Sequence, residues 1–324
     1  MSSQSFKGNQ ASAAARSENT NHEYIGTIMY LAYGKSQYVY EAIFSLLTAA
    51  YFEPFDTGRI RYVVYTDQPE VFATLEGVIL VRINKTKLEE WLDGSDYVHR
   101  RKLMAIVEAL KTYKGKLAFI DTDTYFKRSP MRIFDRIGAG RSCLHLLEHL
   151  LCLSRSSDAR KIRDSFKRYP FTWSDGSKAS LGGDSEMWNS GVIGFDYSDI
   201  GVLREGLRLS DHLWEYSQVN TCEQFSIGVA ARQMTSVSLT WDVVFHYWPK
   251  FLKQPFRVKL EKDLPEILAL PAHLRPQAAF RARLKATPLQ WLKLLKQPTK
   301  YAVARIGRSA YGILQHLRLI GRNC

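Results

Sequence analysis

Residues 117–126 read LAFIDTDTYF, and this stretch decides how the rest of the chain is interpreted. Four apolar residues lead directly into Asp121 and Asp123, which are separated by a single threonine. Two carboxylates this close repel each other and raise each other's pKa unless a cation lies between them. In an extended segment, side chains two positions apart point to the same side, so both carboxylates can reach one ion. Because carboxylate oxygens are natural ligands of Mg²⁺ and Mn²⁺, the segment predicts a divalent-cation site at a strand end.

Strands and helices alternate on the N-terminal side of this segment. β-Branched and aromatic runs predict strands, and apolar residues at i, i+3 and i+4 predict helices. The predicted strands are 24–34, 59–67, 78–83 and 116–121, and the predicted helices are 36–52, with Ser36 as its N-cap, and 99–113. This alternation implies a doubly wound α/β sheet, which binds ligands beyond the carboxyl ends of its strands. Tyr33, Asp67 and Asp121 each follow one of these strands, so we expect them to meet in one crevice.

The C-terminal half of the chain is less regular. Residues 130–180 mix turn signals with basic and aromatic residues, and a strand pattern returns at 190–195. Residues 215–234 are typical of a loop leading into a helix, and WDVVFHYWPK at 241–250 closes the body. The predicted organisation is a disordered leader at 1–22, an α/β body at 23–250 with halves 23–130 and 131–250, and a basic extension at 251–324.

The net charge of +13 over 324 residues is unevenly placed. Residues 1–250 hold 30 Lys/Arg and 29 Asp/Glu, whereas residues 251–324 hold 15 and 3. A neutral body argues against a nucleic-acid surface there, and a polybasic tail suits an anionic partner. The four cysteines show no metal-ligand or disulfide spacing, and no stretch reaches the ~18 apolar residues needed to span a bilayer. We therefore expect a cytoplasmic protein.

Four segments, in this order, resemble the GT-A glycosyltransferases, and among them the glycogenin and lipopolysaccharide-galactosyltransferase family. The segments are IDTDTYF (120–126), WNSGVIGFD (188–196), CEQFSIG (222–228) and FHYWPK (245–250). The resemblance covers residues 24–250 and implies a GT-A fold, a doubly wound mixed sheet with a Rossmann-like nucleotide-binding half. It also implies a hexosyltransferase that moves a sugar from a nucleotide-diphosphate sugar to a glycan or lipid-linked acceptor.

The same resemblance implies a metal and diphosphate site. Asp121 and Asp123 would hold Mn²⁺ or Mg²⁺, and His246 stands where the family has its third metal ligand. Lys250 would contact the diphosphate, although the family's usual glycine and Lys-Pro-Trp pattern is replaced here by HYWPK. Cleavage of the sugar–phosphate bond leaves negative charge on the departing diphosphate, which a metal ion and a lysine stabilise.

Further roles concern the sugar and the nucleotide. By the resemblance, Asn189 faces the donor sugar, and the pair Glu223–Gln224 belongs to the catalytic group, where the family more often has Asp-Gln. The remaining nucleotide-sugar contacts that we predict are a base-stacking tyrosine, a hydrogen-bonding aspartate and two basic residues of the second helix: Tyr33, Asp67, Arg101 and Lys102.

A second motif competes with this interpretation. His145–His149 reads HLLEH and matches the HxxEH signature of metalloproteases, which requires a helix that presents both imidazoles to zinc. Strand and helix patterns compete in this stretch. The alternative that fits the flanking segments is that His145 and Glu148 belong to an acceptor site.

The tail from residue 270 to 324 mixes apolar residues with Lys and Arg and contains no acidic residue. Basic amphipathic helices lie in the interface of anionic bilayers, so peripheral binding to the cytoplasmic face of a membrane is one hypothesis. The alternative is that these helices pack on the body or mediate oligomers.

Two other functions stay open at this stage. The chain could be a non-catalytic nucleotide-sugar-binding scaffold with the same fold, for which the Glu at 223 and the HYWPK segment leave room. It could also be an adaptor whose basic tail is the functional part. The sequence identifies neither the donor base and sugar, nor the acceptor, nor the stereochemical outcome.

Overall fold

A computed structural model describes residues 24–284. The predicted leader at 1–22 and the part of the predicted tail from 285 to 324 lie outside the described residues. The strands are β1 Gly26–Ala32, β2 Ile60–Thr66, β3 Val78–Arg82, β4 Lys116–Ile120, β5 Thr124–Phe126, β6 Arg141–Leu150, β7 Glu186–Asp196, β8 Ser236–Leu239 and β9 Val244–His246. The helices are α1 Ser36–Ala50, α2 Lys85–Leu92, α3 Arg100–Tyr113, α4 Met131–Phe134, α5 Ser157–Arg168, α6 Ile200–Ser217, α7 Cys222–Met234, α8 Lys250–Ala269 and α9 Arg275–Ala282.

Seven of these strands form one twisted sheet in the order β3-β2-β1-β4-β7-β6-β8. Neighbouring strands are parallel except at β7, which runs antiparallel to both β4 and β6. The expected mixed α/β sheet is therefore confirmed. The chain winds from β1 outward to β3 and then returns to place β4 on the other side of β1. The order reverses between β1 and β4, and such a switch point is where open α/β sheets bind ligands.

Strand alternation divides the interior into two hydrophobic layers. On β4, Phe119 belongs to the layer covered by α3, α6 and α7, whereas Ala118 and Ile120 belong to the layer covered by α1 and α8. Both faces of the central strand are buried, which explains its continuous apolar run. The strands and helices predicted up to residue 121 are all present, with shifts of a few residues at their ends.

The start of the first helix differs from the prediction. Ser36 is the first residue of α1, Lys35 occupies the N-cap position, and no side chain caps the helix. Burial on all sides, against the strands and against α8 and α9, holds α1 in place, because the residues from Ala42 to Ala50 are all buried.

The region that the sequence leaves irregular contains a long strand and a helix. Strand β6 pairs with β7 from Cys143 to Leu150, with two irregularities in register, and α5 follows it. The pattern is hard to recognise because β6 is buried from Ser142 to Glu148 and its sequence does not alternate.

The predicted boundary at residue 250 does not separate two packed units. Helix α8 buries Leu252, Phe256, Leu260 and Leu264 in the same layer as α1. Phe280 of α9 stacks on Tyr51 with a ring separation of 4.0 Å. The basic extension therefore begins as an integral part of the body. Over the described range 24–284, no helix combines the length and apolarity that a membrane crossing needs.

Candidate active site

A cleft of about 500 Å³ opens at the carboxyl ends of β1 and β4, where the strand order reverses. Its walls come from the segments that follow these two strands, the start of α3, the middle of β7, the start of α7 and the segment from β9 into α8. The wall residues that bear on the chemistry of the cleft are Tyr33, Lys102, Asp121, Asp123, Asn189, Ser190, Glu223, Gln224, His246 and Lys253.

A buried polar network fixes the backbone between the two aspartates. The Asp121 N–H donates to the carbonyl of Gly191 at 2.9 Å, which extends the pairing of β4 with β7 by one residue. The Thr124 hydroxyl donates to the Asp121 carbonyl at 2.8 Å and accepts from Ser45 of α1. The Phe126 N–H donates to the Thr48 hydroxyl at 2.9 Å. Helix α1 and strand β7 thus hold the segment from both sides, so the two carboxylates are preorganised.

Strand pairing brings the third predicted ligand to the aspartates. Strands β5 and β9 form a two-stranded antiparallel sheet in which Thr124 lies opposite His246. The Nε2 atom of His246 is 3.2 Å from Asp123 Oδ1 and 3.9 Å from Asp121 Oδ2. One ligand atom from each residue lies within 4.8 Å of the others. The three predicted metal ligands therefore meet at one point on the cleft wall.

Two lysines face these carboxylates. Lys102 of α3 places Nζ 3.1 Å from Asp121 Oδ1 and 3.1 Å from Glu223 Oε1. Lys253 of α8 places Nζ 2.7 Å from Asp123 Oδ2. Burial alone would raise the pKa of Asp123, but His246 and Lys253 outweigh it and hold that pKa well below its usual value. Asp123 is therefore a carboxylate in the folded protein and can bind a cation.

The ligand set fits the divalent cation that the resemblance implies. Two carboxylates favour hard cations such as Mg²⁺ and Mn²⁺, and one imidazole is compatible with a first-row metal such as Mn²⁺. Asp121, Asp123 and His246 all line the cleft, so the remaining coordination positions of an ion would face its open side. These three residues would hold the ion, and Lys102 and Lys253 add positive charge on either side of it.

The predicted catalytic residues lie in the cleft wall, but their side chains differ in what they contact. Asn189 is 1% exposed, and its side chain bonds to His246 and Glu148. Glu223 is 4% exposed in the first turn of α7, and its carboxylate pairs with Lys102. Gln224 also lines the cleft.

The predicted nucleotide contacts separate into two groups. Tyr33 and Lys102 line the cleft, whereas Asp67, Arg101 and Lys250 do not. Asp67 accepts hydrogen bonds from the backbone N–H of Gly34, a residue with a φ of +81°. Arg101 donates to the Leu88 carbonyl and pairs with Glu89. Lys250 is exposed at the first position of α8.

The sequence predicted that Lys250 contacts the diphosphate. In the structure the lysine beside the metal-ligand residues is Lys253, which the sequence analysis did not identify. The sequence does contain a pattern that indicates helix α8. Apolar residues recur every four positions, as expected for a helix that packs on the body, at Leu252, Phe256, Leu260 and Leu264. Two prolines inside that helix, at 255 and 265, obscure the pattern. Other missed residues of the cleft wall include Tyr38, His99 and Trp248.

The protease alternative is wrong, because HLLEH lies on strand β6 and not on a helix. His145 Nε2 donates to the Val244 carbonyl at 3.2 Å, and Glu148 accepts from Asn189. Burial and the nearby His246 lower the pKa of His145 well below its usual value. Neither His145 nor Glu148 lines the cleft, so the acceptor-site role predicted for them finds no support in their positions.

Comparison with known proteins finds similarity at the level of structure alone. No protein-family model matches the chain, and no curated protein matches it. Among solved structures, the chain is similar to the galactosyltransferase LgtC in complex with donor and acceptor sugar analogs, at 13% identity and a TM-score of 0.48, over 82% of this chain and 99% of that chain. It is also similar to apo mouse xyloside xylosyltransferase 1, at 12% identity and a TM-score of 0.45, over 67% and 84% of the two chains.

Proposed function

We propose that the protein is a metal-dependent glycosyltransferase that moves a sugar from a nucleotide-diphosphate sugar to a glycan or lipid-linked acceptor. The observation that carries the proposal is the meeting of Asp121, Asp123 and His246, within 4.8 Å of one another, in a cleft at the switch point of a doubly wound sheet. A divalent cation bound there would neutralise charge that develops on a departing diphosphate.

The residues around the cation site suit the binding of a diphosphate. Lys253 is within reach of the same position as the metal ligands, because its Nζ lies 2.7 Å from Asp123. We assign contact with the diphosphate to Lys253 rather than to Lys250, which is exposed outside the cleft. An ammonium group in a partly buried site stabilises developing phosphate charge more strongly than it would in water.

The opposite wall of the cleft suits the sugar. Glu223 and Gln224 offer a carboxylate and an amide at the start of α7, across Lys102 from Asp121. Breaking the glycosidic bond gives the sugar oxocarbenium character, which a nearby carboxylate stabilises. We therefore assign Glu223 to the face of the donor sugar, held in place by its ion pair with Lys102. Tyr33 at the end of β1 is assigned to the nucleotide base.

Thermal shift with a panel of nucleotide-sugars, with and without Mn²⁺, tests the donor and metal parts of this proposal. We expect at least one donor to raise the melting temperature only when Mn²⁺ is present, and we expect Asp123→Ala to abolish that shift. Asp56→Ala is the matched control, because Asp56 is exposed and lies outside the cleft. No shift with any donor, or an equal shift in Asp123→Ala, would contradict the proposal.

A non-catalytic scaffold is the second candidate, and one observation favours it. The carboxylates of Asp121 and Asp123 are already paired with Lys102 and Lys253, so the site is electrostatically balanced without a metal ion. A scaffold would bind a nucleotide-sugar without turnover and without a requirement for Mn²⁺. Release of free sugar from the bound donor separates the two candidates.

We also propose that the basic tail brings the enzyme to an anionic membrane surface on the cytoplasmic side, where a lipid-linked acceptor would lie. Residues 270–324 hold 11 Lys/Arg and no Asp/Glu, which supports this, at about 1 kcal/mol for each basic residue near the surface. Flotation with phosphatidylserine vesicles would compare the full chain with a chain that ends at residue 284. Equal flotation of both would contradict the proposal.

A further inference from the structure

The inner side of the His246 ring faces strand β7, and its contacts there fix the proton on the ring. His246 Nδ1 lies 2.9 Å from Asn189 Oδ1. The same Asn189 oxygen accepts the backbone N–H of Gly191 at 2.9 Å. A backbone N–H can only donate, so the amide atom that faces it must be the oxygen. The orientation of the Asn189 amide is therefore set by the backbone of its own strand.

That orientation decides which nitrogen of His246 faces the cleft with a lone pair. Because Asn189 Oδ1 can only accept, Nδ1 of His246 must carry a proton. The second nitrogen, Nε2, is 3.2 Å from Asp123 Oδ1 and 3.9 Å from Asp121 Oδ2. In the metal-free protein a proton on Nε2 is donated to the Asp123 carboxylate, and binding of a cation would release that proton and leave the lone pair on Nε2. The ring thus presents its one ligand atom to the two carboxylates.

Glu148 holds the Asn189 amide from its other end. Asn189 Nδ2 donates to Glu148 Oε1 at 3.0 Å, and the Glu148 side chain is buried, with 5% of the residue exposed. A buried amide or carboxylate that loses its partner is strongly destabilised, so this contact resists a flip of the amide. The sequence HLLEH, which fails as a protease motif, contributes its glutamate to this chain of hydrogen bonds.

Gly191 completes the arrangement by leaving room for the ring. A Cβ atom at position 191 would lie 2.7 Å from Cε1 of His246, closer than packed atoms approach. Ser190, which lies between Asn189 and Gly191, accepts two hydrogen bonds from Lys102 Nζ, at 2.8 Å to its carbonyl and 3.0 Å to its hydroxyl. The tripeptide Asn189–Gly191 therefore holds both His246 and Lys102.

We propose that Glu148, Asn189 and Gly191 are positioning residues that fix His246 in the Nδ1–H form and aim Nε2 at Asp121 and Asp123. This assigns Asn189 to the support of a metal ligand rather than to contact with the donor sugar. The inference rests on the proposed function in taking Nε2 as the third metal ligand. Groups that orient a ligating histidine in this way typically contribute 10- to 100-fold to metal affinity.

Binding of Mn²⁺ alone, followed by electron paramagnetic resonance, measures the effect on metal affinity. We expect Asn189→Ala to bind Mn²⁺ about 10- to 100-fold more weakly than the wild type. Asn84→Ala is the control, because Asn84 caps α2 far from the cleft and its loss affects stability alone. Affinity in Asn189→Ala equal to that of the wild type would overturn the proposal.

An exchange of the two side chains separates positioning from simple packing. The single variant Asn189→Asp replaces the amide donor that faces Glu148 by a second carboxylate. Because the two carboxylates repel each other, we expect this variant to bind Mn²⁺ more weakly. The double variant Asn189→Asp/Glu148→Gln restores a donor opposite an acceptor and still offers an oxygen to Nδ1, so we expect its affinity to return to near that of the wild type. A double variant as weak as the single one would count against the proposal.

The ¹⁵N NMR spectrum of the metal-free protein tests the proton position directly. The spectrum of the wild type is compared with that of His246→Gln, which identifies the signals of that ring. A proton on Nδ1 in the wild type supports the inference, with or without a second proton on Nε2, and an unprotonated Nδ1 overturns it whether or not Mn²⁺ binds. A wild-type protein that has the Nδ1 proton but does not bind Mn²⁺ would contradict the metal requirement in the proposed function and leave the positioning of His246 standing.

Discussion

At the scale of single residues, Lys102 connects the metal-ligand side of the cleft to the sugar side. Its ammonium group donates hydrogen bonds to Asp121 and Ser190 and forms an ion pair with Glu223, and only 12% of its side chain is exposed. Burial alone would lower the pKa of Lys102, but the two carboxylates outweigh burial and raise that pKa. Lys102 therefore stays charged, and it keeps Asp121 and Glu223 from repelling each other.

Replacing Lys102 by methionine should be strongly destabilising, because the buried carboxylate of Glu223 and the partly buried carboxylate of Asp121 lose their shared partner. We expect the free energy of unfolding to fall by about 3–5 kcal/mol, as is usual when one partner of a buried ion pair is removed. Urea denaturation measures this, and Lys111→Met on the exposed side of the same helix is the control. A loss no larger than in the control would show that Lys102 is not a structural counter-ion.

Lys127 gives a prediction about pH. Burial lowers the pKa of Lys127 to about 8, more than Asp242 raises it. The unfolded chain then binds the proton more tightly, so stability rises as pH increases from about 8 to the ordinary lysine value of about 10.4. We expect the melting temperature of the wild type to rise relative to that of Lys127→Met as the pH increases across this interval. For Lys262→Met, a change at an exposed position, the difference in melting temperature from the wild type should stay constant with pH. Parallel curves for Lys127→Met would contradict the pKa shift.

At the scale of elements, helix α8 connects the C-terminal part of the chain to the cleft. Lys253 and Arg257 lie one turn apart on this helix, and Arg257 forms a bidentate ion pair with Glu41 of α1 at 2.9 and 2.8 Å. Glu41 is 0% exposed. This pair fixes the rotation of α8 about its axis, so Lys253 points at Asp123.

Arg257→Met should leave a buried, unpaired carboxylate and release Lys253 from its position. We expect a loss of about 3–5 kcal/mol in the free energy of unfolding. The double variant Glu41→Leu/Arg257→Met should recover much of that loss, because no charge stays buried. Lys259→Met removes an exposed ion pair from the same helix and should cost at most about 1 kcal/mol. A double variant as unstable as Arg257→Met would contradict this account of the pair.

At the scale of the whole molecule, local patterns predicted the first half of the fold well and the second half less well. The strands up to β4 are bounded by turn signals and carry apolar runs, and the helices α1 and α3 have clear i, i+4 spacing. Strand β6 could not be told from a helix because a strand buried on both faces has no alternation. Lys253 was missed because its place in the cleft depends on the packing of α8, not on its neighbours in sequence.

The same contrast applies to the cleft. The grouping of Asp121, Asp123 and His246 could be predicted because the segments that carry them resemble, in the same order, the metal-binding segments of the GT-A glycosyltransferases. The contacts of Asn189 could not, because whether its amide faces a ligand or a buried histidine depends on the register between β7 and its neighbours. The partner of Glu148 was equally hidden, since it lies 41 residues away in sequence.

Truncation tests how the C-terminal helices belong to the fold. A chain that ends at residue 250 loses the apolar face of α8 that packs on α1, and we expect it not to fold cooperatively. A chain that ends at residue 284 keeps these contacts and should melt within a few degrees of the full chain. Thermal melting by circular dichroism compares them, and a cooperative transition in the shorter chain would show that α8 is dispensable.

Metal-dependent turnover of a nucleotide-sugar is the measurement that tests the central claim most directly. The wild type, Asp123→Ala and the control Asp56→Ala are incubated with a panel of nucleotide-sugars, with Mn²⁺ or with a chelator, and released sugar or nucleotide is quantified. We predict that one donor is hydrolysed slowly by the wild type and by Asp56→Ala with Mn²⁺, and that chelation or Asp123→Ala abolishes the reaction. Turnover that persists in Asp123→Ala or in the chelator, or no turnover of any donor, would contradict the claim.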